Sequence, residues 1–220
     1  MNNLTKVKSE FYKSGMAVAY LCRVNYLAHL YLSGNDDGLI IGNYIGDEVK
    51  GNKWKDLDPF IARGVLMHRQ IDFYTDSHEI NHKVAKRIRP YFGKWAGVAI
   101  DLYWDHFLAL SWENHHDLEL GDYSMKMYIF LKENKQSLLN RSRHMLQYMS
   151  QHDWLTNYAT HQGIGKAFNG LSRRIGRKNT LHRGSEILSS EYDFLRHHFD
   201  LFFPDIKQVS GDWKNLRKPL

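Results

Sequence analysis

Regular helical spacing of apolar residues, with almost no proline to interrupt it, is the feature that most limits how this chain can fold. The 220 residues contain only four prolines, and no stretch alternates apolar and polar residues as a half-buried strand does. Asp58-Pro59 is typical of a helix start, because aspartate caps free backbone amides and proline suits the first helical position. The expected helices cover about residues 59–76, 79–91, 94–110, 119–139, 142–150, 153–159, 162–175 and 185–202. The sequence therefore predicts an all-α fold.

Apolar residues recur at helical spacing within these segments, and we expect them to face a core. In the helix over 59–76 they are Ile61, Val65, Leu66 and Phe73. In the helix over 119–139 they are Met125, Tyr128, Ile129 and Leu131. Since 43% of the chain is hydrophobic, it has enough apolar surface for a single compact domain.

The expected domain covers residues 24–207, with an N-terminal extension over 1–23 and a basic C-terminal tail over 208–220. The single cysteine, Cys22, excludes an intramolecular disulfide and any metal site built from several cysteines. It also favours a cytoplasmic location, where thiols stay reduced. No apolar run approaches the roughly 18 residues that a membrane span needs, so we expect no membrane partner.

Positive charge is concentrated in two segments that contain no acidic residue. The formal net charge is +6, which favours an acidic partner. The first segment, between Glu79 and Asp101, contains Lys83, Lys86, Arg87, Arg89 and Lys94. The second, between Asp153 and Glu186, contains Lys166, Arg173, Arg174, Arg177, Lys178 and Arg183. Either segment alone is equally well explained as a solvated face, and nucleic acid is the less favoured acidic partner.

Histidines and carboxylates occur in four segments where helix geometry can bring them together. They are His29, the pair Asn43 and Asp47, the series His68, Asp72 and Asp76, and the group Asp101, Asp105 and His106. Residues four apart share a helix face. Asp101 lies in the most apolar helix, where a charge is costly unless it is paired or bound to a metal. Mixed His and Asp ligands without cysteine suit Mn²⁺, Fe²⁺, Mg²⁺ or Zn²⁺.

Each of these residues also has an interpretation without a metal. A lone histidine such as His29 is more often a hydrogen-bonded core residue than a ligand, and His68 with Asp72 can be an exposed helical pair. Asp47 and Asp76 can be helix-end residues. Other chemistries have less support, because the chain lacks a glycine-rich phosphate loop, a G-x-S-x-G turn and an H-E-x-x-H motif.

The same segments, taken in order, resemble the acyl carrier protein phosphodiesterases over about residues 24–207. The matching motifs are Asn25-Tyr26-Leu27-Ala28-His29-Leu30, Gly42-Asn43-x-x-x-Asp47, Met67-His68-Arg69-x-Ile71-Asp72-x-x-Thr75-Asp76, Asp101-x-x-x-Trp104-Asp105-His106-Phe107 and Asn169-Gly170-Leu171-Ser172-Arg173-Arg174. The resemblance implies an all-α fold distantly similar to HD phosphohydrolases and a divalent metal, usually Mn²⁺. It also implies a reaction, hydrolysis of the phosphodiester between 4′-phosphopantetheine and a serine of holo-acyl carrier protein, an acidic protein.

The resemblance and the helix spacing together predict roles for individual residues. The predicted metal ligands are Asp47, His68, Asp72, Asp105 and His106, with Asp101 and His29 as second choices, either as ligands or as orienting residues. The predicted catalytic residues are Arg69, His106 and His29. The predicted substrate-binding residues are Arg69, for the phosphate, and Arg173, Arg174, Arg177 and Lys178.

Two points stay open at this stage. Relatives start with Met-Asn-Phe/Tyr-Leu-Ala-His, whereas Val24 stands at the methionine position here and 23 residues precede it. These residues are either the result of a misannotated start or an added helix, and we expect them to be dispensable for catalysis. The alternative functions are a metal-dependent phosphohydrolase acting on nucleotides and a non-catalytic helical module that binds an acidic partner.

Overall fold

The computed structural model describes residues 25–176 and 178–216. These residues form eleven α-helices, several short 3-10 turns and no strand, which confirms the predicted all-α fold. The helices are α1 (Tyr26–Ser33), α2 (Asp37–Ile45), α3 (Pro59–Ser77), α4 (Glu79–Phe92), α5 (Ala96–Leu110), α6 (Leu120–Glu133), α7 (Asn140–Gln151), α8 (Trp154–Asn157), α9 (His161–Ile175), α10 (Gly184–Ser190) and α11 (Tyr192–Leu216). The expected extension over residues 1–23 lies outside the described residues, as does Arg177.

Most of the predicted helices are confirmed, including the start of α3, where the Asp58 side chain accepts a hydrogen bond from the Phe60 amide. The helix expected over 119–139 is wrong in its last part, because α6 ends at Glu133 and a 3-10 turn follows. The helix expected over 185–202 is in fact two helices, α10 and α11.

The last helix, α11, extends far beyond residue 202, where we expected it to end. It passes Pro204 and continues to Leu216, through most of the segment that we expected to be a basic tail. Phe203, Ile206 and Ser210 are buried along it, and the Lys214 ammonium donates a hydrogen bond to the carbonyl oxygen of Leu32 in α1. Packing against the domain therefore continues on one face of this helix almost to its end.

The apolar pattern identifies the buried face only in part. Val65 and Leu131 are fully buried, as expected. Phe73, Met125 and Ile129 are 65%, 59% and 48% exposed, so the expectation that they face a core is wrong. At 100° per residue, Phe73 lies roughly 200° around α3 from the buried Ile71, and it therefore points away from the domain.

Helix α5 forms the centre of the core. Nearly all of its residues are buried, and it packs against α1, α4, α9 and α11. A helix that is covered on every side can hold polar groups only where they find partners. Its buried Asp105 does so by accepting hydrogen bonds from the backbone amides of Leu27 and Ala28, at 3.0 and 2.8 Å. These amides belong to the first turn of α1, so α5 caps α1 and fixes where it begins.

Three small residues allow α2 and α3 to pack with their backbones almost touching. A Cβ atom added to Gly42 would overlap the carbonyl oxygen of Ile61, and one added to Gly64 would lie 2.6 Å from the carbonyl oxygen of Gly38. No ordinary side chain fits at these positions. The contact holds α2 and α3 at one fixed separation and register.

We therefore expect Gly42→Ala to destabilise the protein by about 1–3 kcal/mol or more, because the added methyl group forces the two helices apart. Gly97→Ala in α5 is the matched control, since a Cβ atom there meets no other atom within 4 Å. Alanine at position 97 is expected to be neutral or to stabilise the helix slightly. Urea unfolding of both variants measures the difference, and equal stability would contradict the close approach of α2 and α3.

Candidate metal centre

His29, His68 and Asp72 converge between α1 and α3. The Nε2 atom of His29 lies 3.4 Å from one Asp72 oxygen, and the Nε2 atom of His68 lies 3.3 Å from the other. The possible ligand atoms of all three residues lie within 4.8 Å of one another. Two imidazoles and a carboxylate therefore aim at one small volume, and we call these three residues the His29–His68–Asp72 cluster.

Asn43 fixes the orientation of His29. Its amide nitrogen donates hydrogen bonds to the His29 carbonyl oxygen and to the Ser33 hydroxyl, both at 3.0 Å. Its amide oxygen must then be the group that faces His29 Nδ1 at 2.6 Å, and His29 carries its proton on Nδ1. The lone pair of His29 is consequently on Nε2, directed at Asp72, which is the tautomer that a metal ligand needs.

His68 is held by neighbours in α1 and in the turn that follows α2. Its ring stacks on that of His29 with the centroids 4.2 Å apart, and its Nε2 atom lies 3.6 Å from Asp47. A Cβ atom on Gly46 would lie 2.6 Å from the Cδ2 atom of the His68 ring. Asp47 lies beyond the last residue of α2, in the turn that follows, and this turn places its carboxylate at the edge of the cluster.

The cluster fits a divalent metal ion. The Nε2 atoms of His29 and His68 are buried and form no hydrogen bond within the described residues. Such groups are costly to bury without a partner. A cation among two imidazole nitrogens and a carboxylate would satisfy all three groups, and this donor set suits Mn²⁺, Fe²⁺ or Zn²⁺.

The two histidines differ in proton affinity. Burial lowers the pKa of His29, and the neighbouring His68 lowers it further. Burial also lowers the pKa of His68, but the carboxylates of Asp72 and Asp47 outweigh it and raise this pKa to about 10. Without a metal, His68 therefore carries a proton at neutral pH and pairs with Asp72, and a metal ion takes the place of that proton.

Three of the predicted ligands lie outside the cluster. Both oxygens of Asp105 accept backbone hydrogen bonds from α1, and burial raises its pKa to about 8. His106 Nδ1 donates to the carbonyl oxygen of Tyr158 at 2.7 Å, and Asp101 is buried one turn before Asp105. The contacts of Asp105 and His106 are structural, and the ligand roles of all three residues stay predictions.

Arg69 holds the chain next to Asp47. Its Nη2 atom donates to the carbonyl oxygens of Val49 and Gly51, at 2.9 and 2.8 Å. These bonds tie the turn that carries Asp47 to α3. The predicted contact between Arg69 and a phosphate stays a prediction, because the described bonds occupy Nη2 with the backbone.

Two arginines, Arg141 and Arg174, lie near the edge of the cluster. The sequence had indicated only Arg174 as a substrate-binding residue. The pKa of Tyr26 is raised to about 12, because burial and then the Asp47 carboxylate raise it more than Arg174 and Arg141 lower it. These charged groups therefore lie close enough to the Tyr26 hydroxyl to act on it electrostatically. The Glu48 carboxylate positions Arg141 by accepting a hydrogen bond from its backbone amide at 3.1 Å.

Arg173 and Arg174 lie in the last turn of α9, and Lys178 follows it. All three are exposed, and Arg174 also approaches the Met145 sulfur at 4.0 Å.

Sequence reasoning did not identify Arg141 or Tyr26 as site residues, and it did not identify Asn43 as the partner of His29. Arg141 falls between the two acid-free segments, and no motif marks it.

Comparison with known proteins gives one consistent result. The family model described as acyl carrier protein phosphodiesterase matches residues 24–206. An acyl carrier protein phosphodiesterase of Klebsiella pneumoniae strain 342 is 29% identical over 192 residues, covering 85% of this chain and 97% of the relative. One from Serratia proteamaculans strain 568 is 28% identical over 194 residues, covering 86% and 98%. No solved structure matches, so the similarity to HD phosphohydrolases stays a prediction.

We expect His68 to remain protonated at pH 8 after removal of metal with a chelator, whereas His29 is neutral. The folded pKa of His68 exceeds its ordinary value of 6.5, so its stabilising contribution is complete below pH 6.5 and disappears as the pH rises through about 10. NMR titration of the imidazole nitrogens measures both residues. A His68 pKa near 6.5 in the chelated protein would contradict the ion pair with Asp72.

Proposed function

The chain belongs to the acyl carrier protein phosphodiesterase family, and we propose that it hydrolyses the phosphodiester between 4′-phosphopantetheine and a serine of holo-acyl carrier protein. The family match over residues 24–206 supports the substrate. The convergence of two buried imidazoles and a carboxylate is the observation that supports metal-dependent hydrolysis. The products would be apo-acyl carrier protein and free 4′-phosphopantetheine.

The proposed ligands of the metal ion are His29, His68 and Asp72, with Asp47 at the edge. We propose Mn²⁺ as the ion, with Fe²⁺ or Zn²⁺ as alternatives of compatible donor preference, whereas Mg²⁺ prefers oxygen ligands and fits two imidazoles less well. When bound, such an ion activates water near neutral pH and neutralises phosphoryl oxygens. Asn43 keeps the lone pair of His29 directed into the cluster, which supports the ligand role that the sequence offered for His29 as a second choice.

Arg174 and Arg141 are the cations best supported as contacts for the phosphodiester. Both act on the Tyr26 hydroxyl, as does Asp47 at the edge of the cluster. A guanidinium matches the geometry of phosphoryl oxygens. The leaving serine oxygen also needs a proton, and the catalytic role predicted for His106 has no contact that supports it.

The docking surface proposed for acyl carrier protein is the exposed basic residues of the two segments. Two of their arginines pair with acids elsewhere, Arg87 with Glu191 and Arg183 with Glu186. The segments lie side by side, because the Thr180 hydroxyl bonds to the Tyr91 carbonyl oxygen at the end of α4. The exposed basic residues outside these two pairs are Lys83, Lys86, Arg89, Lys94, Lys166, Arg173, Arg174 and Lys178.

No helix in the described ranges has the length and apolar character needed to cross a membrane. We propose that the protein works in the cytoplasm, which its single cysteine favours.

The assay that tests the proposed function incubates the protein with holo-acyl carrier protein and Mn²⁺, then looks for the apo-protein by mass spectrometry. Persistence of the holo-protein under all metal conditions would contradict the proposal.

We expect His68→Ala and Asp72→Ala to lose bound metal and to lower turnover by at least about 100-fold, because each removes a ligand from a buried site. His82→Ala, at an exposed position on α4, is the control and should keep both properties. Metal content and turnover are measured on the same samples, after circular dichroism shows that each variant is folded. Normal turnover with normal metal content in either ligand variant would remove the cluster from the mechanism.

The same experiment separates the two interpretations of Asp105. If this residue caps α1, Asp105→Asn keeps its metal and loses about 1–3 kcal/mol of stability, since an amide can accept only one of the two backbone bonds. If Asp105 is a ligand, as the sequence predicts, the folded variant loses its metal.

We expect charge reversal at Arg174 to raise the Michaelis constant by about tenfold at low salt, because it weakens attraction to an acidic protein and to the phosphodiester. Lys126→Glu, at an exposed position on α6, is the matched control for the change in net charge. Increasing ionic strength should raise the Michaelis constant of the unmodified enzyme and reduce the difference between the variants. A Michaelis constant that is independent of salt in the unmodified enzyme would contradict electrostatic docking.

A further inference from the structure

The first turn of α7 is anchored by a residue that lies far away along the chain. The first amides of a helix have no partner within the helix, and Leu139, which precedes α7, provides no side-chain acceptor for them. The Glu48 carboxylate takes this role. One of its oxygens accepts a hydrogen bond from the Arg141 amide at 3.1 Å, and the other accepts from the Ser142 amide at 2.9 Å and from the Ser142 hydroxyl at 2.7 Å.

Several other helices of this chain are capped locally. Asp36, Asp58 and Thr160 each accept a backbone hydrogen bond at the start of the helix that follows them, α2, α3 and α9. A local cap stabilises its own helix and moves with it. Glu48 instead joins two parts of the chain, so the start of α7 is set by the position of the segment that carries Glu48.

That segment is the turn beside the candidate metal centre. Glu48 directly follows Asp47, whose carboxylate lies 3.6 Å from the Nε2 atom of His68. Arg69 fixes the same turn to α3 through hydrogen bonds to two backbone carbonyl oxygens. The turn is therefore tied to α3 on one side and to α7 on the other.

A second contact holds the first turn of α7 from the side of α2. The Tyr44 hydroxyl donates a hydrogen bond to the Ser142 carbonyl oxygen at 3.1 Å, and the ring centre of Tyr44 lies 5.5 Å from that of Tyr26. Arg141 belongs to this turn of α7, and its charge acts on the Tyr26 hydroxyl. The backbone of Arg141 is thus fixed at the edge of the His29–His68–Asp72 cluster.

We propose that Glu48 is a positioning residue, which holds the first turn of α7 so that Arg141 contacts the phosphodiester of the substrate. This inference rests on the proposed function. A guanidinium pairs with phosphoryl oxygens through parallel hydrogen bonds that form in one orientation only, and a misplacement of about 1 Å can lower a rate by about 100-fold. Because apo-acyl carrier protein has no phosphodiester, loss of Glu48 should affect the holo-protein alone.

The test measures steady-state kinetics of the metal-loaded full chain with holo-acyl carrier protein, and uses the apo-protein as a competitive inhibitor. We expect Glu48→Ala to lower kcat/KM by about tenfold or more, with unchanged metal content and an unchanged inhibition constant for the apo-protein. The double variant Glu48→Ala/Arg141→Ala should lose no more than Arg141→Ala alone, because Glu48 acts through Arg141. Glu48→Gln keeps one accepting oxygen and should recover part of the loss, and it serves as the second variant if Glu48→Ala does not fold.

Asp58→Ala is the matched control, since it removes the bond that the Phe60 amide donates at the start of α3 and should leave kcat/KM unchanged. Three results would overturn the inference. They are an equal loss of kcat/KM in Asp58→Ala, effects of Glu48→Ala and Arg141→Ala that add in the double variant, and an equal weakening of apo-protein binding.

Absence of hydrolysis by the unmodified protein would instead contradict the proposed function. Calorimetric titration of the metal-loaded protein with holo- and apo-acyl carrier protein then tests the inference separately. A preference for the holo-protein that Glu48→Ala reduces would support the positioning of Arg141. An unchanged preference, or none in the unmodified protein, would overturn it.

Discussion

The candidate site depends on the close approach of α2 to α3. Glycines at positions 38, 42 and 64 allow the two backbones to touch. Asn43 in α2 then binds His29, and the turn after α2 brings Asp47 to His68. A wider separation would move Asp47 away from His68. The same contact places Gly46 directly against the His68 ring, so the glycines set both the fold at this point and the positions of the possible ligands.

Burial of the His29–His68–Asp72 cluster lowers the stability of the fold, because its polar groups leave water. Two stacked imidazoles and a carboxylate in the interior need a proton or a cation between them. The chain provides a proton on His68 when no metal is bound. Asp105 contributes by fixing the start of α1 through hydrogen bonds to its first turn. It thereby fixes the position of His29, which lies in the same turn. Asp105, a polar residue in the most apolar helix, thus supports the site through its hydrogen bonds to α1.

Several features could be predicted from the sequence because they depend on local chemistry. Helical periodicity predicted the all-α class, and Asp58-Pro59 predicted the start of α3. The spacing of His68 and Asp72 placed them on one face of a helix, where they do lie together. The sequence resemblance agreed with the family match over residues 24–206. Other boundaries were missed, such as the extension of α11 to Leu216, because long-range packing outweighs the local effect of Pro204.

The sequence by itself determined the all-α class, the family and the candidate ligands, since each follows from motifs and spacing of residues close together in the chain. It could not determine which candidates meet, because His29 and His68 are brought together only by the packing of α1 and α2 on α3. Asp105 and Asp72 look equally suitable as ligands in the sequence, yet the oxygens of Asp105 accept backbone hydrogen bonds from α1. Tertiary structure decided the surroundings of each carboxylate, because the fold brings Asp105 to the backbone amides of α1 and Asp72 to the imidazole of His29, and these partners lie far away along the chain.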